Sequence, residues 1–155
     1  MAQLIISEVL VKAIQREIES QSLYADLSRK VREPAARDAF NGLVQEEQQH
    51  QRFLEQYQRC EITDGALRGE QVIDYKIADY LDQPELTPDM KLQEVFLLAA
   101  DREKAAHDLY LVLAKVHPWG QVRRLLEGLA MQELKHKQKV EQLYTEVAFP
   151  QTDGG

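Results

Sequence analysis

Glu47-Gln48-Gln49-His50 places a carboxylate and an imidazole three residues apart, late in a run of helical periodicity. Residues three apart on an α-helix share one face, so both side chains point in the same direction. The pattern recurs as Glu133-Leu134-Lys135-His136, 86 residues further along (133 − 47 = 86). A helix rich in Glu and Gln can produce one such pair by chance, but its recurrence indicates an internal repeat.

The same offset of 86 residues brings the segments 8–56 and 94–142 into register. It aligns Glu17 with Glu103 and Tyr24 with Tyr110 as identical pairs. The chain has only four histidines, and the offset superimposes two of them. Helical hairpins of unrelated origin share leucine positions, but they have no reason to share Glu, Tyr and His in register. We therefore interpret the chain as two copies of one helical hairpin.

Bulk composition excludes several classes of protein. A length of 155 residues is typical of one domain with a good core, and a net charge of −7 argues against a nucleic-acid partner. Residues 1–10 lack the features of a signal peptide, and no apolar run approaches the ~20 residues that span a membrane. We expect a cytoplasmic protein without a membrane partner. The single cysteine, Cys60, excludes an internal disulfide and a four-cysteine metal site within this chain.

Apolar periodicity and helix-breaking residues predict four long helices. They cover residues 4–32, 34–59, 88–116 and 121–147. Pro34 suits the first turn of the second helix, and Thr87 is the predicted N-cap of the third, with Pro88 at its first position. The segment 72–81 is predicted as a short helix, and residues 149–155 as a loose tail.

The connections between these helices predict the topology. The first two helices and the last two are joined by tight turns, so each pair forms an antiparallel hairpin. The crossover, residues 60–87, is long enough to cross a bundle whose helices are about 39 Å long. The expected fold is all-α, a four-helix bundle over residues 1–148 with one long crossover.

The four repeated glutamates should lie at similar heights in this bundle. Glu17 and Glu47 lie 16 residues before and 14 residues after the first turn, at position 33. Glu103 and Glu133 stand at the same separations from the second turn, at position 119. Because the long crossover inverts the second hairpin, both pairs and the two histidines meet near the centre.

Four carboxylates cannot all remain ionised in a dry core. Two divalent cations would balance their charge, with both histidines binding as neutral imidazoles. Mixed carboxylate and imidazole ligands suit iron or manganese, and they also bind zinc. The pattern therefore predicts a site for two metal ions.

These segments resemble the rubrerythrin-like branch of the ferritin-like di-iron carboxylate proteins. The resemblance covers roughly residues 4–147 and is carried by residues 17–24, 47–50, 103–110 and 133–136. The metal ligands that it implies are Glu17, Glu47, His50, Glu103, Glu133 and His136. It also implies that Tyr24 and Tyr110 contact these ligands and assist catalysis.

By the same resemblance, the protein would hold two iron ions and reduce peroxide or dioxygen with electrons from an external donor, as a homodimer. A ferroxidase that feeds an iron store and a non-catalytic bundle that binds zinc are the alternatives. The chain departs from rubrerythrins proper in two respects. It has no four-cysteine rubredoxin segment, and Ala106 replaces their additional carboxylate, which argues against their redox-linked ligand exchange.

Other residues near the repeat are assigned by their alignment. Glu19 competes with Glu17 as a ligand but aligns with Ala105, and His107 is assigned to the rim of the site, with a position inside it as the alternative. Glu46 aligns with Gln132 and is interpreted as a surface residue.

Three predictions concern packing. Gly42 and Gly128 align, which predicts a close approach of two helices at these positions. His117 is predicted as a turn residue, and Trp119 is expected to pack against the end of the bundle.

Overall fold

The computed structural model describes residues 4–73, 77, 80–81, 84, 86–87 and 89–148. Its elements are β1 (Leu4–Ile5), α1 (Ile6–Lys30), α2 (Pro34–Gln58), β2 (Val72–Ile73), α3 (Leu92–Lys115), α4 (Gln121–Leu143) and a π-helical turn (Tyr144–Ala148). Helix α1 packs along α2, and α3 packs along α4. The predicted all-α bundle of two helical hairpins is therefore confirmed. No helix among the described residues is long and apolar enough to cross a membrane.

The first hairpin turns between Lys30 and Pro34. Proline disfavours a helical conformation in the preceding residue but suits the first position of a new helix, so α1 ends and α2 begins here. The guanidinium of Arg37 donates a hydrogen bond from Nε to the backbone carbonyl of Val31 at 2.7 Å. This bond satisfies a carbonyl at the end of α1 and holds the turn closed.

The start of the chain pairs with the crossover. Leu4 and Ile5 form an antiparallel two-stranded sheet with Ile73 and Val72, respectively. The predicted helix start at residue 4 and the predicted short helix from residue 72 are therefore wrong at these residues. Pairing of the two segments satisfies their backbone groups, and local periodicity carries no information about such a partner. Residues 74–76 and 78–79 of the predicted short helix lie outside the described residues.

The second hairpin also differs at its ends from the prediction. Helix α3 begins at Leu92 with Lys91 as its N-cap, so the predicted cap at Thr87 is wrong. A turn precedes α3 instead, in which the backbone amide of Met90 donates to the carbonyl of Thr87. Helix α4 ends at Leu143, and a π-helical turn follows in place of the last predicted α-helical residues. The predicted tail, residues 149–155, lies outside the described residues.

The crossover packs on the turn between α3 and α4. A side chain at Gly120 would meet the Cα of Gly65 at 3.0 Å, so this approach requires glycine. Gly65 also has a positive φ of 77°, which other residues rarely adopt. Next to it, the Asp64 carboxylate accepts a hydrogen bond from the backbone amide of Gln121, and its carbonyl accepts one from Val122. A crossover residue thus caps α4.

Two of the three packing predictions are wrong. A Cβ atom added at Gly42 or Gly128 would meet nothing within 4 Å among the described residues, so these glycines mark no close helix approach. Trp119 is 75% exposed and packs on the guanidinium of Arg123 instead of the bundle end. His117 lies in the turn between α3 and α4, as predicted, and its side chain is also buried and hydrogen-bonded.

Two separate hydrophobic clusters form the interior. The first lies between the hairpins and includes Leu54, Leu109, Leu113 and Leu126. The second includes Leu27, Phe40, Phe96 and Val140. Tyr110 belongs to the first cluster and Tyr24 to the second, and both hydroxyls point at buried glutamates.

Candidate metal centre

Six ionisable side chains from the four helices converge inside the bundle, and none is more than 3% exposed. This glutamate–histidine cluster consists of Glu17 on α1, Glu47 and His50 on α2, Glu103 on α3, and Glu133 and His136 on α4. The structure thus brings together all six residues that the sequence singled out. Charged and polar groups at this depth need partners.

The cluster divides into two overlapping groups, each of which could hold a metal ion. The His50 position comprises Glu17, Glu47, His50 and Glu133, and the His136 position comprises Glu47, Glu103, Glu133 and His136. In each group the donor atoms lie within 4.8 Å of one another. Glu47 and Glu133 belong to both groups, so they are placed to bridge two ions.

The distances repeat between the two positions. His50 Nδ1 lies 2.6 Å from Glu133 Oε1 and 3.6 Å from Glu17 Oε2. His136 Nδ1 lies 2.5 Å from Glu47 Oε1 and 3.7 Å from Glu103 Oε2. Within the cluster, each Nδ1 atom is thus nearest to the shared glutamate of the other hairpin. The two rings are almost parallel, at 12°, with centroids 5.5 Å apart.

One donor atom of every cluster residue lacks a hydrogen bond from the described part of the chain. These buried atoms are Glu17 Oε2, Glu47 Oε1, His50 Nδ1, Glu103 Oε2, Glu133 Oε1 and His136 Nδ1. Each unsatisfied buried polar group costs about 1–3 kcal/mol. These six atoms can each offer a lone pair as a ligand, and they face one another inside the cluster, as a site for divalent cations requires. The residues therefore fit a metal site of mixed oxygen and nitrogen ligands.

Burial controls the protonation of this cluster without metal. Burial raises the pKa values of Glu47 and Glu133 well above their ordinary value, and the neighbouring carboxylates raise them further. Burial also acts to raise the pKa of Glu17, but hydrogen bonds with Glu47 and His50 outweigh it and the pKa is lowered. Without metal, protons take up part of the negative charge. Metal binding would release them.

Two tyrosines link the hairpins at the cluster. The Tyr24 hydroxyl donates a hydrogen bond to Glu103 Oε1, and the Tyr110 hydroxyl donates one to Glu17 Oε1. Burial, followed by the nearby glutamates, raises both tyrosine pKa values well above 10, so both remain protonated donors. Each tyrosine therefore orients the glutamate that belongs to only one metal position.

The outer nitrogens of both histidines have partners that the sequence interpretation missed. His50 Nε2 lies 2.5 Å from Gln132 Oε1, and His136 Nε2 is hydrogen-bonded to Glu46 Oε2. Glu46 is a surface residue, as predicted, with a side chain that is 53% exposed, but the prediction did not include its hydrogen bond with His136. One signal was available, because Glu46 and Gln132 each precede a Glu-x-x-His glutamate and align at the 86-residue offset.

The remaining candidates lie outside the cluster. Glu19 accepts a hydrogen bond from Arg102 Nη2 at 2.7 Å, so it is committed to an ion pair. His107 is half-buried, and its Nδ1 donates to the backbone carbonyl of Ala130 at 2.6 Å. This hydrogen bond agrees with the predicted place of His107 at the rim of the metal site.

The family model described as rubrerythrin matches residues 7–74 of the chain. This match includes Glu17, Glu47 and His50, and it extends through α1, α2 and β2. No curated protein and no solved structure gave a significant match.

Proposed function

Because the family model described as rubrerythrin matches residues 7–74, we propose that the chain is a di-iron oxidoreductase. In this proposal it reduces peroxide or dioxygen with electrons from an external donor. The observation that carries the proposal is the set of six buried, unsatisfied donor atoms in two overlapping groups. A mixed set of four carboxylates and two imidazoles suits iron, as it also suits manganese and zinc.

The chain's own residues hold charge, geometry and protons at this site. Glu47 and Glu133 would serve both positions, and together with Glu17 and Glu103 they would offset the charge of two divalent cations. Tyr24 and Tyr110 keep their partner glutamates oriented and keep a proton on each hydroxyl. Bound iron would supply the redox change and the affinity for the oxidant. Reduction of hydrogen peroxide to two water molecules consumes two electrons and two protons, and the electrons come from the external donor.

The test is an anaerobic titration with ferrous iron, followed by addition of hydrogen peroxide. We expect two iron ions per chain, rapid oxidation by peroxide seen as new near-ultraviolet absorbance, and the mass of a dimer by size exclusion. Binding of two ions without reaction with peroxide or dioxygen would overturn the oxidoreductase proposal in favour of a structural metal bundle. Oxygen-driven uptake far beyond two ions, in a large assembly, would favour iron storage.

Matched variants test the site itself. Glu133→Ala removes a bridging carboxylate, and it should abolish binding of two ions per chain. Glu141→Ala is the control, because Glu141 is exposed on the same helix and pairs with Lys137. Equal binding by both variants would show that the cluster is not the iron site.

A further inference from the structure

We propose that Glu46 and Gln132 make the two metal positions unequal, so that the first divalent ion binds at the His136 position. The inference rests on the proposed di-metal site and concerns the order in which that site fills. It assigns positioning roles to two residues that touch no ion, through the two imidazoles.

The two histidines are held in the same manner. Both imidazoles direct Nδ1 into the cluster and Nε2 outward, where Nε2–H donates to the side-chain oxygen of Gln132 or Glu46. An Nε2–H donor leaves the lone pair on Nδ1, facing the metal position. Both rings thus present Nδ1 to a metal position. Only the chemical nature of the outer partner differs.

The inner ligands cannot account for a difference between the positions. Each position has one glutamate of its own, one histidine, and a share in Glu47 and Glu133. Each unshared glutamate also accepts one hydrogen bond from a tyrosine. Any inequality must therefore come from groups outside this matched set.

The outer partners supply such an inequality. A carboxylate that accepts a hydrogen bond from an imidazole raises the basicity of the opposite ring nitrogen, and charge-assisted hydrogen bonds are the stronger kind. Glu46 is a carboxylate, whereas Gln132 is a neutral amide. His136 therefore becomes the better donor, and the added negative charge favours a cation beside it.

Two buried arginines, each beside one unshared glutamate, differ in their partners. Arg16 and Arg102 align at the 86-residue offset, and each precedes the unshared glutamate of one position. Arg102 forms an ion pair with Glu19 at 2.7 Å. Arg16 donates to two backbone carbonyls of the crossover, and within the described residues it forms no ion pair with a carboxylate.

The structure permits a clean exchange of the two outer partners. Glu46 and Gln132 line an open groove of about 520 Å³ beside α2 and α4, and neither residue belongs to a hydrophobic cluster. Glutamate and glutamine have nearly the same shape, and both offer an oxygen to Nε2–H. The variants Glu46→Gln, Gln132→Glu and the double exchange therefore change charge and leave the hydrogen bonds in place.

The experiment uses zinc(II) alone, with calorimetry for the two dissociation constants and ¹⁵N-histidine NMR to identify the imidazole that binds first. In the wild type we expect the first ion to shift the His136 signals, with the two constants about 10- to 100-fold apart. Glu46→Gln should weaken the tighter position, and Gln132→Glu should strengthen the weaker one. Each single exchange should therefore bring the two dissociation constants closer together. In the double exchange, the first ion should bind at the His50 position.

Asp38→Asn is the matched control, because it removes one exposed charge from α2 about 12 Å along the helix from Glu46. It should leave the ratio unchanged. A first ion at His50 in the wild type, or a ratio that neither single exchange alters, would overturn the inference while the di-metal site stands. Failure of the wild type to bind two ions would instead refute the proposed function. If Glu46→Gln does not fold, Gln132→Glu tests the same ratio from the other side.

Discussion

Several residues at the cluster form hydrogen bonds with metal-ligand candidates on the opposite hairpin, and so hold them in place. Tyr24 of α1 donates to Glu103 of α3, and Tyr110 of α3 donates to Glu17 of α1. The outer partners of the histidines cross in the same way, from α2 to α4 and back. Packing of the two hairpins therefore brings together both the candidate ligands and the residues that hydrogen-bond to them. Loss of one such hydrogen bond should affect one particular metal position.

Tyr24→Phe should weaken metal binding at the His136 position by about tenfold, because Glu103 loses the hydrogen bond that the Tyr24 hydroxyl donates. Tyr110→Phe should do the same at the His50 position through Glu17. Zinc titration followed by histidine NMR separates the two effects, and each variant is the control for the other. Equal weakening of both positions by either variant would contradict an assignment of one tyrosine to one position.

At the level of elements, one hydrogen-bonded chain joins α2, the crossover and the end of α3. The backbone amide of Leu67 donates to the Tyr57 hydroxyl at 3.0 Å, and this hydroxyl lies 2.7 Å from His117 Nε2. His117 Nδ1 donates to the carbonyl of Leu113 at 2.7 Å, so Nε2 accepts from Tyr57. These hydrogen bonds need a neutral imidazole, because Nε2 must accept. Burial lowers the pKa of His117, which favours the neutral form.

This arrangement predicts a loss of stability in acid. A lowered histidine pKa stabilises the fold fully above the unfolded value of about 6.5, and this contribution is lost as the pH falls through the lower folded pKa. The free energy of unfolding of the wild type should thus approach that of His117→Gln as the pH falls from 7.5 to 5.5. Urea unfolding of both proteins measures this difference, in which contributions from the metal cluster cancel. A difference that is constant or grows in acid would refute the prediction.

At the level of the whole molecule, the cluster opposes folding when no cation is bound. The pKa values of Glu47 and Glu133 are raised in the folded protein. Their contribution to the free energy of unfolding is therefore fully present below the unfolded pKa of about 4.3, and it is lost as the pH rises through the folded pKa. The metal-free fold should therefore weaken from mildly acidic to neutral pH. Cations that bind only the folded chain reverse this loss by mass action.

The variant Glu47→Gln separates the cost of burying a carboxylate from the stabilisation by bound metal. In the metal-free protein at pH 7.5 the variant should melt a few degrees higher than the wild type, because one buried carboxylate becomes a neutral amide. Zinc at one hundred times its dissociation constant should stabilise the wild type by about 2.7 kcal/mol, and the variant by much less. Calorimetric melting with zinc and with a chelator measures both. A metal-free variant less stable than the wild type would contradict the cost assigned to the carboxylates.

The sequence alone was sufficient to predict the helices, the hairpins and the meeting of six side chains. Helical periodicity, turn residues and the number of residues from each turn are local quantities, and the repeat places Glu17 and His50 in register with Glu103 and His136. The tertiary structure alone decided the pairing of Leu4 with Ile73, the exposure of Trp119 and the partnership of Glu46 with His136. Such contacts depend on how far each helix is rotated about its axis and how closely two segments approach. Neither quantity is encoded in the spacing of residues along one helix.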